Sequence, residues 1–277
     1  MTQSQLWVNG ELLATSSPSI HADDHGFLLG DGIFETFIAR NAKPVFLELH
    51  LRRLRHGLTR LGLLNTPTDD DLTDAVMQLL AATNLTDARL RLTITPGPGH
   101  SPRERGPSPL AVLTATPLSP PPRSVSLCTV PWVRNERSPL AGIKSTSWGD
   151  NAMVLRHAIE RGFDNALLCD STGRLSECTT SNFFAVIEDQ ILTPSLEAGC
   201  LPGIIREVLL DSGDVREENL VPNDLGVATE VFITSSTTGV VPVNRIDDQP
   251  FAINGPATIR ARAHIDNLQK IHSSSAQ

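Results

Sequence analysis

Three consecutive prolines, Pro120, Pro121 and Pro122 in "LSPPPRS", limit the fold more than any other stretch of this chain. Proline fixes φ and offers no backbone donor, so the run can lie neither inside a helix nor inside a sheet. It is a stiff spacer between folded parts. The 277 residues therefore divide into a small N-terminal α/β domain over 1–115, a proline-rich linker over 116–124 and a larger C-terminal domain over 125–277. Each part is long enough to bury its own core.

The patterns on either side predict mixed secondary structure. "LWVNGELL" reads as a hairpin turning at Asn9-Gly10, and "GIFETFIAR" as a strand after a Gly-Asp-Gly turn. Leu47, Leu51, Leu54, Leu58 and Leu61 recur at steps of four and three, the period of an amphipathic helix over 47–63. A second helix starts near Thr68, with Asp71 three residues on completing a capping box. "RLRLTIT" alternates as a half-buried strand. Lys43, before Pro44, falls in a turn.

Beyond the linker, "VSLCTV" predicts a strand and "DNAMVLRHAIER" a helix capped by Asp150 and running to Gly162. "NALLCD", "FFAVIE" and "ILTP" form a mostly antiparallel set. "PGIIREVLL" opens like a helix N-terminus, "EVFITSST" is a further strand, and a last helix runs from about Pro256 to a frayed "HSSSAQ". The pattern is α+β, barrel-like in its second part, and lacks the βαβ rhythm of a doubly wound sheet.

Charge narrows the partners. A net charge of −8, without long like-charge runs, points away from nucleic acid and anionic membranes. A small anion at a locally positive site remains compatible. No apolar run can span a bilayer, and "MTQSQLWVNGELL" lacks the basic and apolar regions of a signal peptide. Cys128, Cys169, Cys178 and Cys200 form no CxxC pair, so a reduced, cytoplasmic protein is the simplest expectation.

Against twenty arginines the chain has three lysines, Lys43, Lys144 and Lys270. An amine can lose its proton and attack a carbonyl to form a Schiff base, which a guanidinium cannot do. Lys43 and Lys270 read as solvated charges. Lys144, in "LAGIKSTSWGDN", lies beside a helix start. Alone, it would pass for a boundary lysine reaching solvent. Glu177 in "GRLSECTTSNFF" would pass for a loop carboxylate, Arg53 in "HLRRLRHGL" for a solvated arginine, and "TSSTTG" for a capped turn. Together, however, an amine, a carboxylate, an arginine, a helix N-terminus after "CLPG" and a hydroxyl cluster form the inventory that holds pyridoxal phosphate.

At this point the chain resembles the class IV, or fold-type IV, pyridoxal-phosphate enzymes, which include branched-chain aminotransferases, D-amino-acid aminotransferases and 4-amino-4-deoxychorismate lyases. "GFLLGDGIFETF", "ELHLRRL", "RNERSPLAGIKS", "GRLSECTTSNFF", "GCLPGIIR" and "FITSSTTGVVPV" occur in family order over nearly the whole chain. The resemblance implies a two-domain fold with a small α/β domain and a larger barrel-like domain. It implies that Lys144 anchors the cofactor and shuttles the substrate proton, and that Glu177 pairs with the pyridine nitrogen. Arg53, the backbone of Gly203, Ile204 and Ile205, and the Ser236-Thr237 region would bind phosphate. Ile205 replaces a threonine common in relatives and Trp148 a tyrosine; the chain has no tyrosine at all. The family also implies a homodimer.

Within the family, Phe34 replaces the tyrosine of D-amino-acid aminotransferases, and "TITPGPGHSPRERGPS" lacks their Arg-x-His trap. "ECTTSN" and "SSTT" differ from the branched-chain pattern. "GDGIFET", "PWVRNERSPLAGIKSTS" and "GCLPGIIR" are similar to aminodeoxychorismate lyases, which release pyruvate and form 4-aminobenzoate for folate synthesis. A transaminase of D-amino acids, branched-chain L-amino acids or (R)-amines is the alternative, and a non-catalytic binding module ranks last. Candidate substrate contacts are Phe34, Glu35, Arg103, Arg105, Thr180 and Thr238. Arg103 and Arg105 suit a dianionic substrate and are equally well explained as solvated loop arginines.

Overall fold

The computed structural model describes residues 5–17 and 20–274. The chain forms two compact units: Met1–Ser119 with Ile143–Trp148 and Gln269–Gln277, and Pro120–Gly142 with Gly149–Leu268. A continuous C-terminal domain over 125–277 is therefore not what forms. The lysine-bearing segment and the chain's end belong with the first unit.

In the first unit, β1 (Gln5–Val8) and β2 (Glu11–Ala14) form the expected hairpin. Its turn residues, Asn9 and Gly10, both have positive φ, the conformation that makes Asn-Gly a hairpin signal. Then follow α1 (His25–Leu29), β3 (Ile33–Arg40), β4 (Lys43–Pro44), α2 (Leu47–Leu61), α3 (Asp69–Thr83), β5 (Ala88–Thr95) and β6 (Leu110–Pro117). Lys43 thus sits in a short strand pairing with Arg40 rather than in a turn. The sheet order is β2-β1-β6-β5-β3-β4, with neighbours antiparallel. Leu51, Leu54 and Leu58 of α2, with Leu72, Val76 and Leu79 of α3, pack on Ile33, Phe37, Leu90, Leu92 and Leu113 of the sheet. The four-and-three leucine spacing puts α2's apolar stripe on one face, and the Thr68–Asp71 capping box starts α3.

The second unit contains β7 (Val125–Arg134), α4 (Gly149–Glu160), β8 (Asn165–Asp170), β9 (Leu175–Cys178), β10 (Asn182–Ile187) and β11 (Gln190–Pro194). It continues through α5 (Ile204–Asp211), β12 (Val215–Glu218), β13 (Glu230–Ser235), β14 (Gly239–Ile246), β15 (Gln249–Pro250) and α6 (Pro256–Ser274). Its strands run β12-β11-β10-β13-β14-β7-β8-β9, and a further pairing of Glu177 with Asn182 joins β9 back to β10. The path β10-β13-β14-β7-β8-β9 therefore closes into a six-stranded barrel. Pairs β7–β14, β7–β8 and β11–β12 are parallel. The core includes Leu127, Leu167, Phe183, Val231, Ile233 and Val243.

Two boundaries differ from expectation. Helix α4 begins at Gly149, which leaves Asp150 in its first turn rather than as its cap; a carboxylate there still faces the positive end of the helix dipole. The tail is helical through Ser274, and the rest of "HSSSAQ" lies outside the described residues. Among the described residues, no helix is long and apolar enough to cross a membrane.

Candidate active site

In the first unit the lysine segment is an added edge of β3. The Phe34 amide donates to the Lys144 carbonyl at 2.9 Å and the Thr146 amide to the Gly32 carbonyl at 2.8 Å. Ile33 and Ser145 pair as an antiparallel bridge, and Ser147 Oγ donates to the Gly30 carbonyl at 2.9 Å. This close approach explains the Gly-Asp-Gly turn. Gly30 has φ +67°, and a Cβ on Gly32 would sit 2.9 Å from both the Ile94 carbonyl oxygen and Thr146 Oγ1.

Lys144 Nζ lies 4.6 Å from the centre of the Phe34 ring, and the Arg91 guanidinium carbon lies 3.9 Å from the same centre. These are cation–π distances. Burial, then the like charge of Arg89, depress the Arg91 pKa. No carboxylate pairs with Arg91 among the described residues.

Glu35, from the same strand, is 1% exposed and faces α2. Its carboxylate accepts Arg53 Nε at 2.8 Å and Nη2 at 2.6 Å, while His50 Nδ1 lies 2.7 Å away. Arg53 and His50, one turn apart on α2, are therefore buried rather than solvated, with side-chain exposures of 9% and 1%. Burial alone would raise the Glu35 pKa, but the charge and hydrogen bonds of Arg53, with help from His50, bring it down to about 2. Burial lowers the His50 pKa against the pull of Glu35. His50 Nε2 is buried without a hydrogen-bond partner.

The loop arginines separate. Arg105 Nε and Nη2 donate to Asp31 at 2.8 Å each, and Nη1 donates to the Leu61 and Gly62 carbonyls at 2.6 and 3.2 Å. It clamps the loop to the C-terminus of α2. The Arg103 side chain is exposed in the same loop.

In the second unit Glu177 stands at the bridge that closes the barrel. Its Oε2 accepts the Leu201 amide at 3.0 Å and lies 3.4 Å from Asn182 Nδ2. Arg134 Nε is 3.2 Å from Oε1. Asn182 Nδ2 also donates to the Leu201 carbonyl at 2.8 Å, tying the carboxylate to the segment leading into α5. Gly203 is the N-cap of that helix. A Cβ there would approach Asn182 Oδ1 to 1.9 Å, so any larger residue must displace the Asn182 amide. The Ile204 and Ile205 side chains are buried, leaving their amides as the polar groups these positions offer. At the β13–β14 turn, Ser235 Oγ lies 3.1 Å from Thr237 Oγ1 and 2.8 Å from Thr238 Oγ1, beside half-buried Ser236. Thr180 is exposed, and its hydroxyl accepts from Asn165 at 2.8 Å. Trp148, half-buried, ends the lysine segment in the first unit.

Four residues joined to these groups were not singled out from sequence: His50, Arg91, Arg134 and Asn182. His50, Arg134 and Asn182 lie inside the quoted motifs, where their type and proximity to Arg53, Lys144 and Glu177 were the available signal.

The buried carboxylates, the lysine and the helix N-terminus sit on a scaffold that defines a class: the family model for class IV aminotransferases matches residues 32–246, and the chain belongs to that family. These are pyridoxal-phosphate enzymes. The chain is 30% identical to a putative branched-chain-amino-acid aminotransferase of Methanocaldococcus jannaschii over 88% of each chain. It is 28% identical to the D-alanine aminotransferase of Bacillus licheniformis over 97% of this chain and 98% of that one. A crystal structure of a putative 4-amino-4-deoxychorismate lyase from Legionella pneumophila superposes with a TM-score of 0.87 and 28% identity, covering 92% of this chain and 97% of the other.

Proposed function

We propose that the protein is a pyridoxal-phosphate-dependent 4-amino-4-deoxychorismate lyase, releasing pyruvate to leave 4-aminobenzoate. The observation that carries the substrate reading is Arg91. It is a half-buried guanidinium without a carboxylate partner among the described residues, on the same phenylalanine ring as the Lys144 amine. Such a cation suits an amine that also bears carboxylates, as this dianionic substrate does. The ordered motifs and the similarity to the Legionella structure favour the lyase among such reactions.

The donor set suits the cofactor. In the first unit Thr146 Oγ1 is buried without a hydrogen-bond partner, and in the second the first amides of α5 are not used by the helix itself. When bound, pyridoxal phosphate supplies an aldehyde for covalent attachment and a ring that accepts electrons. Lys144 is the covalent anchor and moves the proton at the amine-bearing carbon. Glu177 holds a proton on the pyridine nitrogen. Arg53, the amides of Gly203, Ile204 and Ile205, and the Ser236 and Thr237 hydroxyls bind phosphate. Ile205 contributes no hydroxyl, which leaves its amide to act alone. Phe34 and Arg91 position the substrate; Glu35 orients Arg53. Arg103, Thr180 and Thr238 are further candidate contacts, whereas Arg105 acts through the loop it clamps. The active form is a homodimer, consistent with the exposed Phe27, Leu28 and Leu29 of α1.

Borohydride reduction of the cofactor-loaded protein, followed by peptide mapping, places the label on Lys144. No label, or label on Lys43 or Lys270, contradicts the assignment. A transaminase is the other reading, favoured by the relatives from Methanocaldococcus jannaschii and Bacillus licheniformis. D-alanine or L-leucine supplied alone separates the two. A transaminase releases one equivalent of oxo acid per active site, and a lyase releases none.

A further inference from the structure

Arg134 is the last residue of β7, a strand whose pairing with β8 slips between Thr129 and Val133. Such a bulge re-aims the side chains beyond it. Beyond this one, Arg134 reaches across to Glu177, with Nε 3.2 Å from Oε1. Its far end is fixed as well. Nη1 donates to Asn151 Oδ1 at 2.8 Å, and Asn151 Nδ2 donates to the Thr179 carbonyl at 2.8 Å. Asn151, in the first turn of α4, therefore bridges Arg134 to the residue two positions after Glu177. The other oxygen of Glu177 is held from the opposite direction by the Leu201 amide.

We infer that Arg134, braced by Asn151, is a positioning residue for Glu177: it keeps the carboxylate ionised and in a fixed orientation towards the cofactor ring. The inference rests on the pyridoxal-phosphate reading of this site and adds a residue to it. An adjacent guanidinium makes protonation of that carboxylate harder. Asn151 prevents the arginine from swinging out to water, where the same charge would have little effect. Lysine could supply the charge at this position but not, at the same time, the hydrogen bond that the guanidinium Nη1 gives to Asn151.

The test is equilibrium binding of pyridoxal phosphate to the apoprotein, followed by quenching of tryptophan fluorescence across pH 4.5 to 7.5. Wild type is compared with Arg134→Gln, Arg134→Lys and Asn151→Ala. In Arg134→Gln the acid-side loss of affinity moves to higher pH by about one to two units, the shift one neighbouring charge imposes on a carboxylate. Arg134→Lys restores most of it, and Asn151→Ala falls between. A uniform loss of affinity in Gln and Lys variants alike, with the pH profile unmoved, would show a packing role and overturn the inference. Wild-type protein that binds no cofactor at any pH would overturn the functional reading itself, and this inference with it. If Arg134→Gln does not fold, the Lys and Asn151 profiles decide.

Discussion

Glu35, His50 and Arg53 show how far a single side chain's surroundings decide its role. On sequence each could pass for a solvated charge, yet all three side chains are buried. The pairing that buries them joins a strand to a helix 18 residues away, a separation no local pattern reports. Because the Glu35 pKa is depressed to about 2, its contribution to stability is full above the ordinary carboxylate value near 4.5. That contribution is lost as the pH falls towards about 2. His50 acts in the same direction. Its pKa is lowered by burial, so below about pH 6.5 the unfolded chain takes up a proton that the folded chain refuses. Glu35→Gln removes the buried charge that Arg53 and His50 both contact and is expected to cost about 3–5 kcal/mol. Urea unfolding at pH 7 measures that loss, and repeating it at pH 4 should show a smaller pH dependence than wild type. Equal stability of variant and wild type would contradict the buried ion pair.

Elements built from local signals were the ones legible in advance. The Asn9-Gly10 hairpin, the leucine stripe of α2 and the Thr68 capping box depend on residues within a few positions of each other, and all formed as expected. The barrel did not announce itself. Its closure needs Val125 to pair with Val243 and Glu177 with Asn182. The Val125–Val243 pair is remote in sequence, and five residues from Glu177 to Asn182 pass for a simple turn. Glu177 stood out in the sequence as a candidate carboxylate, but not its place at the closing bridge. The start of α5 depends on that bridge too. Gly203→Ala would drive its Cβ into Asn182, and overpacking of this kind costs about 1–3 kcal/mol. Adding Asn182→Ala removes the obstruction, so the double variant should be more stable than the sum of the two single losses implies. Strictly additive losses would mean that the two side chains do not compete for this space.

At the scale of the molecule, the proline run marked a real division near residue 119, but the chain crosses between the units again on either side of Ile143–Trp148. That return was invisible because the segment's backbone bonds to β3 involve residues more than a hundred positions away. It has a mechanical consequence. A protease site placed in the exposed stretch at Ser119–Arg123 should be cut readily, yet the fragments should stay together in gel filtration, because residues 143–148 remain stitched to the first sheet. Separation of the fragments without denaturant would contradict that edge pairing. Sedimentation equilibrium should give twice the 29.9 kDa chain mass, and Phe27→Asp with Leu28→Asp should shift the equilibrium towards the monomer. A wild-type monomer at micromolar concentration would contradict the dimer.

The central claim is the reaction itself. Enzymatically prepared 4-amino-4-deoxychorismate, incubated with the cofactor-loaded protein, should yield 4-aminobenzoate and pyruvate in equal amounts, and Lys144→Ala should yield neither. Absence of both products from wild-type protein that carries bound cofactor, together with oxo acid release from D-alanine or L-leucine alone, would contradict the lyase and establish a transaminase in its place.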